Sequence, residues 1–134
     1  MVVVDTSAIV GVLVGRPRNR RLTDRLGADG DLHAPHLLDV ELLHTLHRLV
    51  ITGQLGEDRA ADARTDFADL TIVRYEHAAL ADRIWVLRHD LTASDATFVA
   101  LSEVLGAPLV TCDTRLAGAS GHDAQVELFG EERG

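Results

Sequence analysis

The sequence contains no lysine, because all 13 of its basic residues are arginine. Catalysis through a lysine Schiff base is therefore excluded. The phosphate-binding lysine of P-loop proteins is also missing. Receiver domains, which likewise combine N-terminal acids with alternating strands and helices, need a lysine near the C-terminal end and are excluded for the same reason.

Cysteines, aromatic residues and long apolar runs are scarce as well. Cys112 is the only cysteine, so no intramolecular disulfide can form and a reducing compartment is expected. Aromatic residues make up 4% of the chain, so the core must be aliphatic. The N-terminal segment MVVVDTSAIV lacks the basic start of a signal peptide, and no apolar run approaches the roughly 18 residues that span a bilayer. We therefore expect a cytoplasmic protein without a membrane segment.

The length of 134 residues predicts one domain that covers residues 1–134. The formal net charge is −8, and taken alone this argues against nucleic-acid binding, since phosphate contacts need cations. Two divalent cations bound by clustered acids would halve this excess of negative charge. The charge therefore does not exclude a nucleic-acid substrate.

Short aliphatic runs alternate with longer segments of helical periodicity. The runs predict strands over 2–4, 32–34, 71–74, 108–111 and 126–128. The periodic segments predict helices over 8–14, 18–26, 36–51, 57–70, 76–88, 94–105 and 114–117. Strands that alternate with helices in this way indicate an α/β fold with a central parallel sheet.

Two acids follow predicted strands. Asp5 comes directly after the first strand, and Asp113 comes after the fourth. Open parallel sheets place their functional sites at the carboxyl ends of the strands, which makes both acids candidate site residues. The alternative is that each is a helix N-cap, a role that Asp often takes after a strand.

Two further acids lie on predicted helices. Asp95 forms a capping-box pattern with Thr92, and Glu41 shares a helix face with His44 and Arg48 that could be a solvated polar stripe. The ends of the first and fourth strands are expected side by side, with the Asp95 helix leaning on the same edge. Carboxylates gathered in this way repel one another unless a cation neutralises them, and oxygen ligands favour Mg²⁺ or Mn²⁺.

The segments MVVVDTSAIV, LDVELLHTL and LTASDATFVALSEVLGAPLVTCDTRLA, in this order, resemble PIN-domain ribonucleases, specifically VapC-type toxins. The resemblance extends from Val2 to about Ala117. It implies a three-layer α/β/α fold with a central parallel sheet and an acidic pocket at one edge. It also implies catalytic metal ligands at Asp5, Glu41, Asp95 and Asp113, and auxiliary hydroxyls at Thr6, Ser7 and Thr111.

The function that this resemblance implies is that of a magnesium-dependent endoribonuclease, the toxin of a type II toxin–antitoxin system. Mg²⁺, or Mn²⁺ as a substitute, would support hydrolysis of phosphodiester bonds by an activated water. The expected substrate is structured RNA such as tRNA or rRNA, cut to leave a 5′-phosphate. The expected partners are a VapB-type antitoxin, which places a basic side chain in the acidic pocket, and a second copy of the chain in a homodimer.

The arginines are concentrated in the segment RPRNRRLTDR. We expect contacts with RNA or with a protein partner from a set of arginines: Arg16, Arg18, Arg20, Arg21 and Arg115. The alternative is a solvated helix face whose charge is balanced by Asp24.

Other functions are less consistent with the sequence. The pairs His33/His36 and His44/His47 have a spacing that can bind zinc, but no cysteine pair accompanies them. A metal-dependent phosphatase of the haloacid dehalogenase type would need an acid where Ser7 stands, and a lysine. A catalytically weak PIN domain that only binds partners is the remaining alternative.

Overall fold

The computed structural model describes residues 1–15 and 18–130. Within this part, the strands are β1 Val2–Val4, β2 Leu32–Pro35, β3 Ile72–Tyr75, β4 Leu109–Thr111 and β5 Val126–Leu128. The α-helices are α1 Thr6–Val14, α2 Arg20–Asp29, α3 Leu37–Ile51, α4 Glu57–Asp69, α5 Ala81–Val86, α6 Ala93–Leu105 and α7 Thr114–Ala117. The described residues include no helix that is both long and apolar enough to span a membrane.

All five strands are parallel and follow the order β3-β2-β1-β4-β5. The central strand β1 consists of three fully buried valines, as expected for a strand covered on both faces. From β1 the chain continues to β2 and then β3 on one side of β1, and it then crosses to β4 and β5 on the other side. The strand order therefore reverses between β1 and β4, the place where doubly wound sheets form a crevice.

The helices form two layers, one on each face of the sheet. Helices α1 to α4 contact one another, with α1 against β4 and α3 against β2, whereas α6 packs on the three central strands and against α5. The core between the layers is aliphatic, and Phe98 is its largest fully buried side chain. The predicted three-layer α/β/α fold with a central parallel sheet is confirmed.

Apart from the helix predicted over 76–88, the helix boundaries that differ from the predictions by two or more residues are the start of α1 and both ends of α2. Helix α1 begins at Thr6 because the Asp5 side chain accepts a hydrogen bond from Ala8 N and caps the helix two residues earlier than predicted. Helix α2 does not end before Gly27. It continues to Gly30, which has a φ of 65° and takes the left-handed conformation that ends many helices.

The helix predicted over 76–88 is divided. The six-residue helix α5 lies between 3₁₀ turns at Ala78–Leu80 and Leu87–His89. The segment before the first turn is fixed by the His77 side chain, whose Nε2 accepts a hydrogen bond from Leu37 N at 2.9 Å. A contact with such a distant part of the chain is invisible to a local helical pattern.

Candidate active site

Asp5 lies at the carboxyl end of β1 and is almost completely buried. Its Oδ1 accepts hydrogen bonds from Ala8 N at 2.9 Å and Ser7 Oγ at 2.7 Å, and its Oδ2 accepts one from Thr111 Oγ1 at 2.5 Å. Burial raises the pKa of Asp5, the three hydrogen bonds oppose that increase, and the nearby charge of Asp113 adds to it. Asp5 is therefore the predicted helix cap and also a carboxylate that a cation would stabilise.

Two hydroxyl groups join the ends of β1 and β4. Thr111 Oγ1, besides donating to Asp5, accepts a hydrogen bond from Asp113 N at 3.0 Å. Ser7 Oγ accepts one from Cys112 N at 2.8 Å and lies 3.2 Å from Thr111 Oγ1. The two hydroxyls fix the backbone beside the acids, as expected of groups that orient ligands.

Glu41 reaches the same place from α3. Thr6 Oγ1 donates a hydrogen bond to Glu41 Oε1 at 2.7 Å, which connects the first turn of α1 to α3. Glu41 is half-buried. Thr6 holds the carboxylate of Glu41 in a defined orientation.

Asp95 and Asp113 each lie in the first turn or at the cap of a helix. Asp95 N donates a hydrogen bond to Thr92 Oγ1 at 3.2 Å, which is the N-cap contact predicted from the capping-box pattern. Asp113 Oδ1 accepts one from Arg115 N at 2.9 Å and caps α7, while Arg115 Nη2 lies 3.7 Å from Asp113 Oδ2. Helix starts therefore position both acids, and both side chains still line a cavity.

The four acids line one cavity of about 640 Å³ beside the carboxyl ends of β1 and β4, the part of the sheet that we call the β1/β4 edge. They reach it from the end of β1, from α3, from the start of α6 and from the loop after β4. Thr6 and Ser7 also line it, whereas Thr111 is fully buried behind Asp5. The structure thus brings the sequence-predicted acids together, and their role as catalytic metal ligands stays a prediction.

The donor set of this cavity suits a hard divalent cation, since all four acids offer carboxylate oxygens. Within residues 1–15 and 18–130, no three acidic, histidine or cysteine side chains lie close enough together to hold a metal as they stand. In this arrangement the oxygens of Asp5 accept hydrogen bonds from Ser7, Ala8 and Thr111, and Glu41 Oε1 accepts one from Thr6.

Cys112 also lines the cavity. Burial, together with the negative charge of Asp5, raises the pKa of its thiol to about 11. The thiol is therefore protonated at neutral pH and is not an activated nucleophile.

The predicted arginine contacts are divided. Arg115 lines the cavity, whereas Arg18, Arg20 and Arg21 are exposed residues at the start of α2 that do not line it. Arg16 lies outside the described residues. Contacts of these arginines with RNA or a partner stay predictions.

The histidine pairs do not form a zinc site in the described part of the chain. His33 is buried, and its ring nitrogens lie 2.7 Å from Tyr75 Oη and 2.7 Å from Asp31 Oδ1. His44 instead lines the acidic cavity, together with Arg48 one turn further along α3. The shared helix face of Glu41, His44 and Arg48 is visible in the sequence, and in the structure all three residues line the cavity.

Comparisons with known proteins identify the family of the chain. Residues 2–121 match the family described as PIN domain. The chain is 38% identical to Ribonuclease VapC1 of Mycobacterium tuberculosis over 127 residues, which cover 94% of this chain and 96% of that protein.

Solved structures show the same fold at lower identity. VapBC2 from Rickettsia felis, bound to a DNA fragment from their promoter, has a TM-score of 0.72 at 12% identity and covers 96% of this chain and 99% of that one. Mycobacterium tuberculosis VapC20, described as a sarcin-ricin loop cleaving toxin, has a TM-score of 0.63 at 21% identity and covers 90% and 97%. The resemblance stated from the sequence is confirmed: the chain belongs to the PIN-domain family and, within it, to the VapC ribonucleases.

Proposed function

We propose that this protein is the toxin of a type II toxin–antitoxin system, an endoribonuclease that hydrolyses phosphodiester bonds with the help of Mg²⁺. The observation that carries the proposal is the common cavity of Asp5, Glu41, Asp95 and Asp113 at the β1/β4 edge. Mn²⁺ is expected to substitute, because the ligands are carboxylate oxygens. The name VapC1 of the relative supports ribonuclease activity.

When bound, a divalent cation supplies positive charge for the phosphate oxygens and acidifies water. The carboxylates of the chain would hold it, with Asp5 as the most rigid donor because three hydrogen bonds fix its oxygens. Thr6 fixes Glu41 in the same way. A carboxylate on the cavity wall accepts the proton of the attacking water, and the products are a 5′-phosphate and a 3′-hydroxyl.

The proposed substrate is structured RNA such as tRNA or rRNA. A cavity of about 640 Å³ is large enough for a nucleotide that is splayed out of a loop. The description of VapC20 as a sarcin-ricin loop cleaving toxin supports a structured RNA target.

The proposed partners are a VapB-type antitoxin and a second copy of this chain, and the proposed location is the cytoplasm, with residues 1–134 acting as a single domain. A basic antitoxin side chain would enter the acidic cavity and compete with the cation. The description of VapBC2 as a toxin–antitoxin pair on promoter DNA supports an antitoxin partner.

A catalytically weak PIN domain that only binds partners is the second candidate. One observation favours it: the described carboxylates do not form a preassembled metal group. The two candidates differ in whether purified protein cleaves RNA.

The test is a cleavage assay with purified tRNA and rRNA in Mg²⁺, in Mn²⁺ and in EDTA, followed by mapping of the new 5′ ends. Cleavage should require the cation and disappear in Asp5→Ala. Asp82→Asn, a substitution of an exposed acid outside the cavity, should cleave like the wild type. Cleavage that persists in EDTA or in Asp5→Ala would overturn the metal-dependent mechanism, and no cleavage of any RNA would favour the binding module.

A further inference from the structure

An acidic cavity repels the phosphates of RNA, so basic side chains beside the cavity must hold the strand. In the described part of the chain, the basic side chains that line the large cavity are His44, Arg48 and Arg115. Arg115 lies 3.7 Å from Asp113 and is partly neutralised there. Arg48 is exposed, and no described carboxylate lies within ion-pair distance of it. It is therefore a guanidinium that is available for a phosphate.

The position of Arg48 separates it from the candidate catalytic acids. It follows Glu41 by seven residues on α3, which places it on the same face and about 10 Å further along the helix axis. A phosphate bound at this distance from Glu41 is best placed beside the carboxylates rather than among them. It would be the phosphate of a neighbouring nucleotide in the same strand.

A second cavity of about 230 Å³ adjoins the first at this point. Thr45 and Arg48 line both cavities, and Leu49, Thr52 and Gln54 complete the second. This combination offers a guanidinium for a phosphate, an aliphatic surface for the face of a base, and an amide for its edge.

The turn that builds the second cavity is well fixed. Thr52 Oγ1 donates to Arg48 O at 2.7 Å, and Gln54 Nε2 donates to Thr52 Oγ1 at 3.0 Å. Gly53 reverses the chain with a φ of 77°, in the left-handed region that favours glycine. The cavity is therefore formed by the chain before any ligand arrives.

We propose that this second cavity is a nucleotide subsite, in which Arg48 binds the phosphate next to the scissile one and the turn of Thr52 and Gln54 receives its base. The inference rests on the proposed ribonuclease function and adds a specificity-determining position to it. Arg48 is a substrate-positioning residue, since it lies away from the carboxylates that would act on the scissile bond.

Binding should be measured by fluorescence anisotropy with labelled single-stranded RNA, using Asp113→Asn as the background so that the RNA stays intact. Arg48→Ala should weaken binding about tenfold and reduce the salt slope of log K by about 0.7, as expected for one lost phosphate contact on a single strand. Arg64→Ala removes an exposed arginine outside both cavities and should leave affinity and slope unchanged.

A length series locates the subsite. Oligonucleotides that grow by one nucleotide from either end should gain affinity at one step in the parent protein, and Arg48→Ala should lose that step. In the cleavage assay with Mg²⁺, the loss should appear in KM rather than in kcat.

Two results would overturn the inference, and they have different meanings. If the wild type cleaves RNA but Arg48→Ala matches Arg64→Ala in affinity, slope and KM, the subsite is wrong and the ribonuclease proposal stands. If the wild type neither binds nor cleaves any RNA, both proposals fall.

Discussion

The hydroxyl group of Thr111 is the most informative single group in the candidate site, and Thr111→Val tests it with little change in shape. Thr111 is fully buried. Its Oγ1 donates to Asp5 Oδ2 at 2.5 Å and accepts from Asp113 N at 3.0 Å. Valine removes both contacts and the 3.2 Å approach of Ser7 Oγ while nearly keeping the volume, so the effect measures these polar contacts.

The expected loss of stability follows from the two groups left without a protein partner. A buried polar group that loses its partner costs about 1–3 kcal/mol, and the Asp113 amide is only partly buried, so we expect about 2–4 kcal/mol in total. For a chain of 134 residues, this lowers Tm by about 7–14 °C. The hydrogen bond from Thr111 also lowers the pKa of Asp5, so its removal should raise that pKa further.

Metal binding should suffer as well, because Thr111 orients a proposed ligand. Loss of such an orienting contact typically costs about 10–100-fold in metal affinity or activity, so the Mg²⁺ concentration at half-maximal cleavage should increase within that range. Thr97→Val is the matched control. Its buried hydroxyl donates at 2.7 Å to the carbonyl of Ala93 inside α6, so its loss leaves no new unpaired donor. The reasoning is refuted if both variants unfold at the same denaturant concentration and require the same Mg²⁺.

The remaining predictions concern two glycines and two acids. Gly27 lies exposed inside α2 with open space around it, so Gly27→Ala should stabilise the protein by about 0.5–1 kcal/mol. Gly30 has a φ of 65°, so Gly30→Ala should destabilise the protein by about 1 kcal/mol. Equal effects of the two substitutions in urea unfolding would contradict this. The hydrogen bonds from Arg83 lower the pKa of Glu103. The contribution of Glu103 to stability is therefore present above its unfolded pKa and is lost as the pH falls through its folded pKa. The stability advantage of the wild type over Glu103→Gln should shrink in acid. The pKa of Asp5 is raised, so in EDTA the stability advantage of the wild type over Asp5→Asn should grow as the pH falls. A pH series of unfolding curves in which both stability advantages change in the same direction would contradict these assignments.

The position of the site was predictable because local sequence patterns indicate which segments are buried strands and which acids follow them. The run of valines before Asp5 and the aliphatic run before Asp113 indicate buried parallel strands, and parallel strands end at one edge of a sheet. The cap patterns of Asp5 and Asp95 were also visible, and both caps are present. Capping and lining the cavity are compatible, because a cap fixes a carboxylate near a helix start without covering all of it.

The details of the cavity were not predictable from the same patterns. The contacts between Thr6 and Glu41, and between Ser7 and Cys112, join segments that are 35 and 105 residues apart. Which face of α3 looks into the cavity depends on how α1 packs against α3, and no local period contains that information. The sequence placed Arg48 on the same helix face as Glu41, but only the packing shows that this face lines the cavity.

The claim on which the account depends is that Asp5, Glu41, Asp95 and Asp113 together hold a divalent cation. The most direct measurement is the anomalous scattering of Mn²⁺ in crystals of the protein grown with manganese, because the signal locates the ion without reference to activity. We predict a peak in the cavity at the β1/β4 edge, within about 2.0–2.4 Å of carboxylate oxygens from at least two of these residues. A protein that cleaves RNA while its manganese binds elsewhere, or nowhere, would contradict it.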